Sequence, residues 1–90
     1  MLRMSRFRVT PLIGSEIENK IKGAFCHFVC SATHPDVESY CRDVIYPMGY
    51  QLESFERDYD LTEEHLLATN KQMFDIYVLT GHATRFVAWE

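Results

Sequence analysis

No stretch of this ninety-residue sequence approaches the roughly 18 apolar residues that a membrane span requires. Its N-terminus lacks the apolar segment of a secretory signal. With four glycines and three prolines, the sequence has no glycine-rich phosphate loop, no G-x-S-x-G turn and no H-E-x-x-H pair. Glu64-His65 has no second histidine four residues on. An excess of positive charge is missing too: the formal net charge is -4 and the pI about 5.5. That sum argues against direct nucleic-acid binding and against anionic membranes, since counterion release needs a basic footprint. Three cysteines without an export signal imply free thiols in a reducing, cytoplasmic compartment.

What is present describes one folded domain, residues 1–90. Apolar residues make up 47% and aromatics 13%, too many for a disordered chain, and the length supports a single modest core. Charge is unevenly placed. Arg3, Arg6 and Arg8 lie in an opening segment with no acid before Glu16, whereas six acids between Glu53 and Glu64 surround the single base Arg57.

Arg6 to Ile13 reads as a strand at an edge or bulge, because Pro11 cannot donate to a ladder. Either a hairpin turn at Glu18-Asn19-Lys20 or a helical turn boxed by Ser15 and Glu18 follows, and the hairpin is the reading adopted. Gly23 to Ala32 reads as a central strand, with Ala24, Cys26, Phe28 and Cys30 on one face and Phe25, His27 and Val29 on the other. Thr33 can cap the next helix, with Asp36 closing the pair and Pro35 in the first turn. Val37, Tyr40, Cys41, Val44 and Ile45 then form the stripe of a helix packed on a sheet, ended by Gly49 after Pro47. Tyr50 to Arg57 is a third strand. A shorter helix starts near Thr62, with Leu61 and Leu66 as a hydrophobic staple. Phe74 to Thr80 and Ala83 to Trp89 alternate as a hairpin across Gly81-His82. The predicted fold is α+β: a mainly antiparallel sheet of four to five strands with one long and one short helix, in the order β-β-α-β-α-β-β.

Cys26, Cys30, His34 and Cys41 invite a metal or thiol reading. On a strand, however, Cys26 and Cys30 stand about 13 Å apart. Two thiolates on one zinc each sit at about 2.3 Å from it. Small buried thiols that let a helix approach are the better account, so neither metal nor cofactor is expected. No residue set demands catalysis.

Several predicted strands are apolar on both faces, yet two helices of this size cover about one. The other face is expected to expose Phe25, His27, Tyr77 and Phe86, an apolar surface for a partner or a second copy. A second surface is the acidic run Glu53, Glu56, Asp58, Tyr59, Asp60, Glu63 and Glu64. From these follows a non-enzymatic protein-binding module, an inhibitor that occludes a larger protein, a basic nucleic-acid-handling one being the kind that an acidic surface suits. Phage anti-defence and toxin-immunity proteins work in this manner, which is a class-level analogy. The alternative is a small dimeric ligand-binding domain or enzyme with a pocket around His27, lined also by Tyr77, Phe86 and Arg85.

Overall fold

The computed structural model describes residues 1–89. Four strands, β1 (Leu2–Pro11), β2 (Gly23–Ser31), β3 (Tyr50–Leu61) and β4 (His82–Trp89), form one antiparallel sheet in the order β3-β1-β2-β4. The helices are α1 (Val37–Ile45), continued by a 3-10 turn at Tyr46–Met48, then α2 (Glu63–Thr69) and α3 (Lys71–Thr80). The α+β class and the antiparallel four-stranded sheet agree with the sequence reading.

Topology decides what covers each face. β1 and β2 are hydrogen-bonded neighbours at the centre of the sheet. The chain must pass over β1 to place β3, and over both central strands to place β4. The first passage carries α1 and the second carries α2 and α3. On the α1 side, Phe7, Val9, Ala24, Cys26, Phe28 and Cys30 pack with Cys41 and Ile45. On the opposite side, Leu2, Met4, Val29 and Ala83 pack with Leu61, Leu66 and Met73. The predicted stripe of α1 and the Leu61–Leu66 staple are both found in these clusters, as core or packed against it.

The expectation that the helices share one face is thereby corrected, since they lie on opposite faces. The sheet also curls toward α1. Tyr50 and Phe86, from the two outermost strands, stack with ring centroids 4.2 Å apart, which a flat sheet would keep several strand spacings apart.

The segment 74–80 is helix rather than strand, so the order becomes β-β-α-β-α-α-β. Ile76, Tyr77, Val78 and Thr80 favour strand by type, but local and tertiary terms favour helix. Asn70 Oδ1 accepts from the Met73 amide at 3.1 Å, and Lys71 pairs with Asp75 four residues on at 2.8 Å. Met73, Phe74 and Tyr77 then share the face turned to the second cluster. Gly81, the expected hairpin turn, instead ends α3 at φ +85°, its amide donating to the Tyr77 carbonyl at 2.7 Å. Asn70→Ala is expected to cost about 0.5–2 kcal/mol. Urea denaturation reads this directly, and an unchanged midpoint would refute the cap.

Smaller differences concern element ends. β1 starts at Leu2 and stops at Pro11, so residues 2–5 belong to the sheet. β3 runs on to Leu61. The cap of α1 is Asp36, whose carboxylate accepts from the Ser39 amide at 3.0 Å, while Thr33 bonds to Ser31 instead. β1 and β2 do pair as a hairpin, but not through a tight turn at Glu18-Asn19-Lys20, since the strands stop at Pro11 and Gly23. The long loop holds the helical turn instead, the Glu18 amide donating to the Ser15 carbonyl at 3.2 Å and the Ile21 amide to that of Ile17 at 3.3 Å. The Gly14 amide donates to the Glu18 carboxylate at 3.0 Å. No helix among the described residues is long and apolar enough to cross a membrane.

Candidate functional site

The α2–α3 pair covers only one end of its sheet face. Successive cross-strand rows on that face change character. The row Tyr59, Met4, Val29 and Ala83 is the one beneath the helices. The next row is Arg57, Arg6, His27 and Arg85, one residue from each strand and directly opposed. Beyond it come Ser54, Arg8, Phe25 and Val87. Opposed residues share a face, so one complete row of a four-stranded sheet holds three guanidiniums and an imidazole. Three inter-strand spacings make it about 14 Å wide.

This row works against the fold. Like charges directly opposite one another destabilise a sheet. Relief is partial: Glu56, at a β-bulge, pairs with Arg6 at 3.3 Å. Among the described residues no ion pair holds Arg8, Arg57 or Arg85. Arg6 and Arg8 lie over the Phe25 ring at 5.0 and 5.7 Å, and Arg8 over Trp89 at 4.9 Å. The Trp89 indole in turn lies over Gly23, where a Cβ would overlap the ring. Arg6 Nε is buried without a hydrogen-bond partner among the described residues.

A groove runs between this row and the helix pair. Its main cavity, about 350 Å³, has Met4, Leu61, Leu66 and Met73 as floor, with His27 and Arg85 on the sheet side. Tyr59, His65, Thr69 and Asn70 complete the rim. Further hollows continue it toward β4, past Gln72 and Thr84, and toward β3, past Asp60 and Thr62. A larger depression of about 520 Å³ lies apart, between the β1–β2 loop and Ala88–Trp89. It lacks the groove's apolar floor.

His27 lies beside this groove, and its proton affinity is held below the ordinary value. The cause is first burial, then the Arg6, Arg85 and Arg57 charges. Burial lowers His82 in the same way; its Nδ1 meets the Tyr40 hydroxyl at 2.9 Å, and Phe28 stacks on it. The unfolded chain takes up these protons near pH 6.5, the folded protein only at lower pH. Stability is therefore level above about pH 6.5 and falls as pH drops toward the folded values. The urea midpoint is expected to decline on acidification through that window, and less steeply in His27→Gln/His82→Gln. Equal slopes in both proteins would refute the assignment.

The predicted surfaces are rearranged. Of Phe25, His27, Tyr77 and Phe86, only Phe25 and His27 lie on the open face. Phe86 is on the α1 side against Tyr50, and Tyr77 is on α3 against the second cluster. The pocket expected around His27 exists with Arg85 but without Tyr77 or Phe86. The acidic residues do lie along an exposed edge strand and the start of α2. Asp58 and Asp60 lie 3.8 and 3.5 Å from Arg3 on the α1-side face, and Glu56 is held by Arg6. Glu53 accepts only from Thr10, at 3.3 Å, among these contacts. Tyr59 is on the other face, in the groove.

All three cysteines are buried, with Cys26 and Cys41 sulfurs 4.0 Å apart. Their mutual hydrogen bond and then burial push the Cys41 thiol up, and burial raises Cys30, so thiolate chemistry is disfavoured at both. Among the described residues no group of three His, Cys, Asp or Glu side chains is placed to hold a metal.

Sequence reasoning missed Arg6, Arg8 and Arg57 as a set. The available signal was their parity: Arg6 and Arg8 share one face of β1, and Arg85 and Val87 one face of β4. Compared with known proteins, this chain matches no family model, no curated protein and no solved structure.

Proposed function

We propose that this chain is a small non-enzymatic binding module whose working surface is the open half of the α2–α3 sheet face. It takes an anionic ligand there. The observation that carries this reading is the row Arg57, Arg6, His27 and Arg85. Opposed like charges cost stability and contribute nothing to the core. Departures of this kind from what folding favours are expected at functional positions. Three guanidiniums in one cross-strand row, Arg57 beside Arg6 and Arg85 beyond His27, offer planar, forked donors suited to phosphate or carboxylate oxygens.

The net charge of -4 does not oppose this, because part of the acidity is on the α1-side face of β3 with Arg3. No nucleophile–base pair accompanies the row, so binding is favoured over catalysis.

Calorimetric titration with inorganic tripolyphosphate and with a polyglutamate peptide tests the reading. At least one is expected to bind, more weakly as salt rises, and the Arg6→Gln/Arg57→Gln/Arg85→Gln protein should lose that binding. If the triple variant binds as well as the parent, the reading fails.

A second reading, occlusion of a basic partner by the acidic edge, is favoured by one observation. β3 is twelve residues long, on the sheet edge, with Glu53 exposed and Glu63 and Glu64 exposed beside it in α2. An inhibitor of the anti-defence or immunity kind would use that edge. On this reading, replacing Glu53, Glu63 and Glu64 with glutamine abolishes capture of the partner, whereas the arginine triple variant leaves it intact.

A further inference from the structure

The groove beside the arginine row narrows the chemistry of the ligand. Resting on the reading of that row as an anion site, we infer that the ligand is a nucleotide unit. Its base would enter the groove under α2 and α3, and its phosphate would lie on the guanidiniums. The unit is either a free nucleotide or part of a short single strand.

The geometry separates two chemistries side by side. The groove has an apolar floor of Met4, Leu61, Leu66 and Met73, and a rim with the aromatic groups Tyr59 and His65. Thr69 and Asn70 add hydrogen-bonding groups; Asn70 uses its oxygen for the α3 cap, and its amide nitrogen makes no hydrogen bond among the described residues. A flat, apolar-faced body with a polar edge fits such a lining, and a nucleobase has that form. An aspartate- or glutamate-rich peptide supplies carboxylates for the arginines but no flat body for the groove.

The charged row runs alongside the groove rather than inside it, with Arg85 and His27 belonging to both. A base in the groove therefore leaves its phosphate at the row. Hollows at both ends mean that neighbouring units can continue in either direction. At the β3 end the hollow is lined by Tyr59, Leu61, Thr62 and His65, while the Asp60 carboxylate is turned to Arg3 on the other face. A duplex keeps its bases paired and stacked, and is excluded from the site.

Four probes decide the matter when titrated into the full chain and followed by amide chemical shifts: adenosine triphosphate, a short single-stranded DNA of mixed sequence, an abasic oligomer of the same length, and a polyglutamate peptide. The base-bearing probes are expected to shift Tyr59, His65 and Asn70 together with His27 and Arg85. The abasic oligomer should shift only the row and bind about 5- to 150-fold more weakly, the range for loss of one base–aromatic stack. His65→Ala, at an exposed position, should weaken the base-bearing probes and leave the abasic one unchanged. A preference for the triphosphate marks a free nucleotide, and a preference for the DNA marks a strand. Equal affinity for abasic and base-bearing oligomers overturns the nucleotide proposal while leaving the anion site standing. Tighter binding of the peptide overturns it in favour of an acidic protein. Binding of none of the four overturns both.

Discussion

Replacing Phe28 with alanine is expected to destabilise the protein by about 3–5 kcal/mol, the range for buried aromatic truncations. Phe28 has no solvent exposure and sits on β2, the inner strand bonded to both β1 and β4. Its ring meets Tyr40 edge-on at 5.3 Å and stacks on His82 at 6.0 Å. Truncation therefore leaves a cavity and also removes the surface against which α1 and the start of β4 are held. A ninety-residue domain has roughly 5–13 kcal/mol of total stability, so the loss is a large share of the whole. The thermal midpoint should fall by more than about 12 °C, read by circular dichroism. A fall of only a few degrees would mean that the site collapses around the missing ring and that the α1-side core is looser than described.

Leu66→Ala should cost about 2–5 kcal/mol, with a different distribution over the molecule. Leu66 is buried on α2 and packs with Leu61, Met4 and Met73 on the other side of the sheet. α2 is seven residues and α3 ten, too short to persist without packing. Hydrogen exchange should show 63–80 losing protection, while β1, β2 and α1 keep more of theirs. The same change removes part of the groove floor, so a base-bearing probe should lose more affinity than inorganic tripolyphosphate does. Uniform loss of protection would instead show that both clusters unfold as one unit.

The contrast between these substitutions follows from one sheet carrying a core on each face. That arrangement was partly legible. The two-faced apolar character of Phe25, Phe28 and Val29 on β2 announces a central strand, and Val37, Tyr40, Cys41, Val44 and Ile45 announce the helix that covers it. The Leu61 and Leu66 spacing around Thr62 announces the second helix. The segment 74–80 misled because Ile76, Val78 and Thr80 are strand formers by type. Asn70 and the Lys71–Asp75 pair were helix signals open to reading, but propensity outweighed them until Met73 and Tyr77 had a surface to bury against.

For the site, legibility was lower. Arg6, His27, Arg57 and Arg85 are widely separated along the chain, and Arg57 sits among acids. Their convergence depends on register. A shift of one residue in either the β1–β3 or the β2–β4 pairing would send an arginine to the opposite face, and the bulges between β1 and β3 leave Arg57 opposite Arg6. Net charge conceals such a row because it sums over all faces at once.

Local chemistry in the sequence by itself determined the α+β class, the central strand, the α1 stripe, the helix start at Thr62 and the burial of the three thiols. Periodicity, capping groups and side-chain size act within a few residues and can be read from neighbours. Only the tertiary structure decided that the helices divide between two faces, that Phe86 and Tyr77 leave the open surface, and that three arginines and His27 fill one row beside a groove. Those outcomes depend on strand order and pairing register, which arise from contacts between residues far apart in the chain.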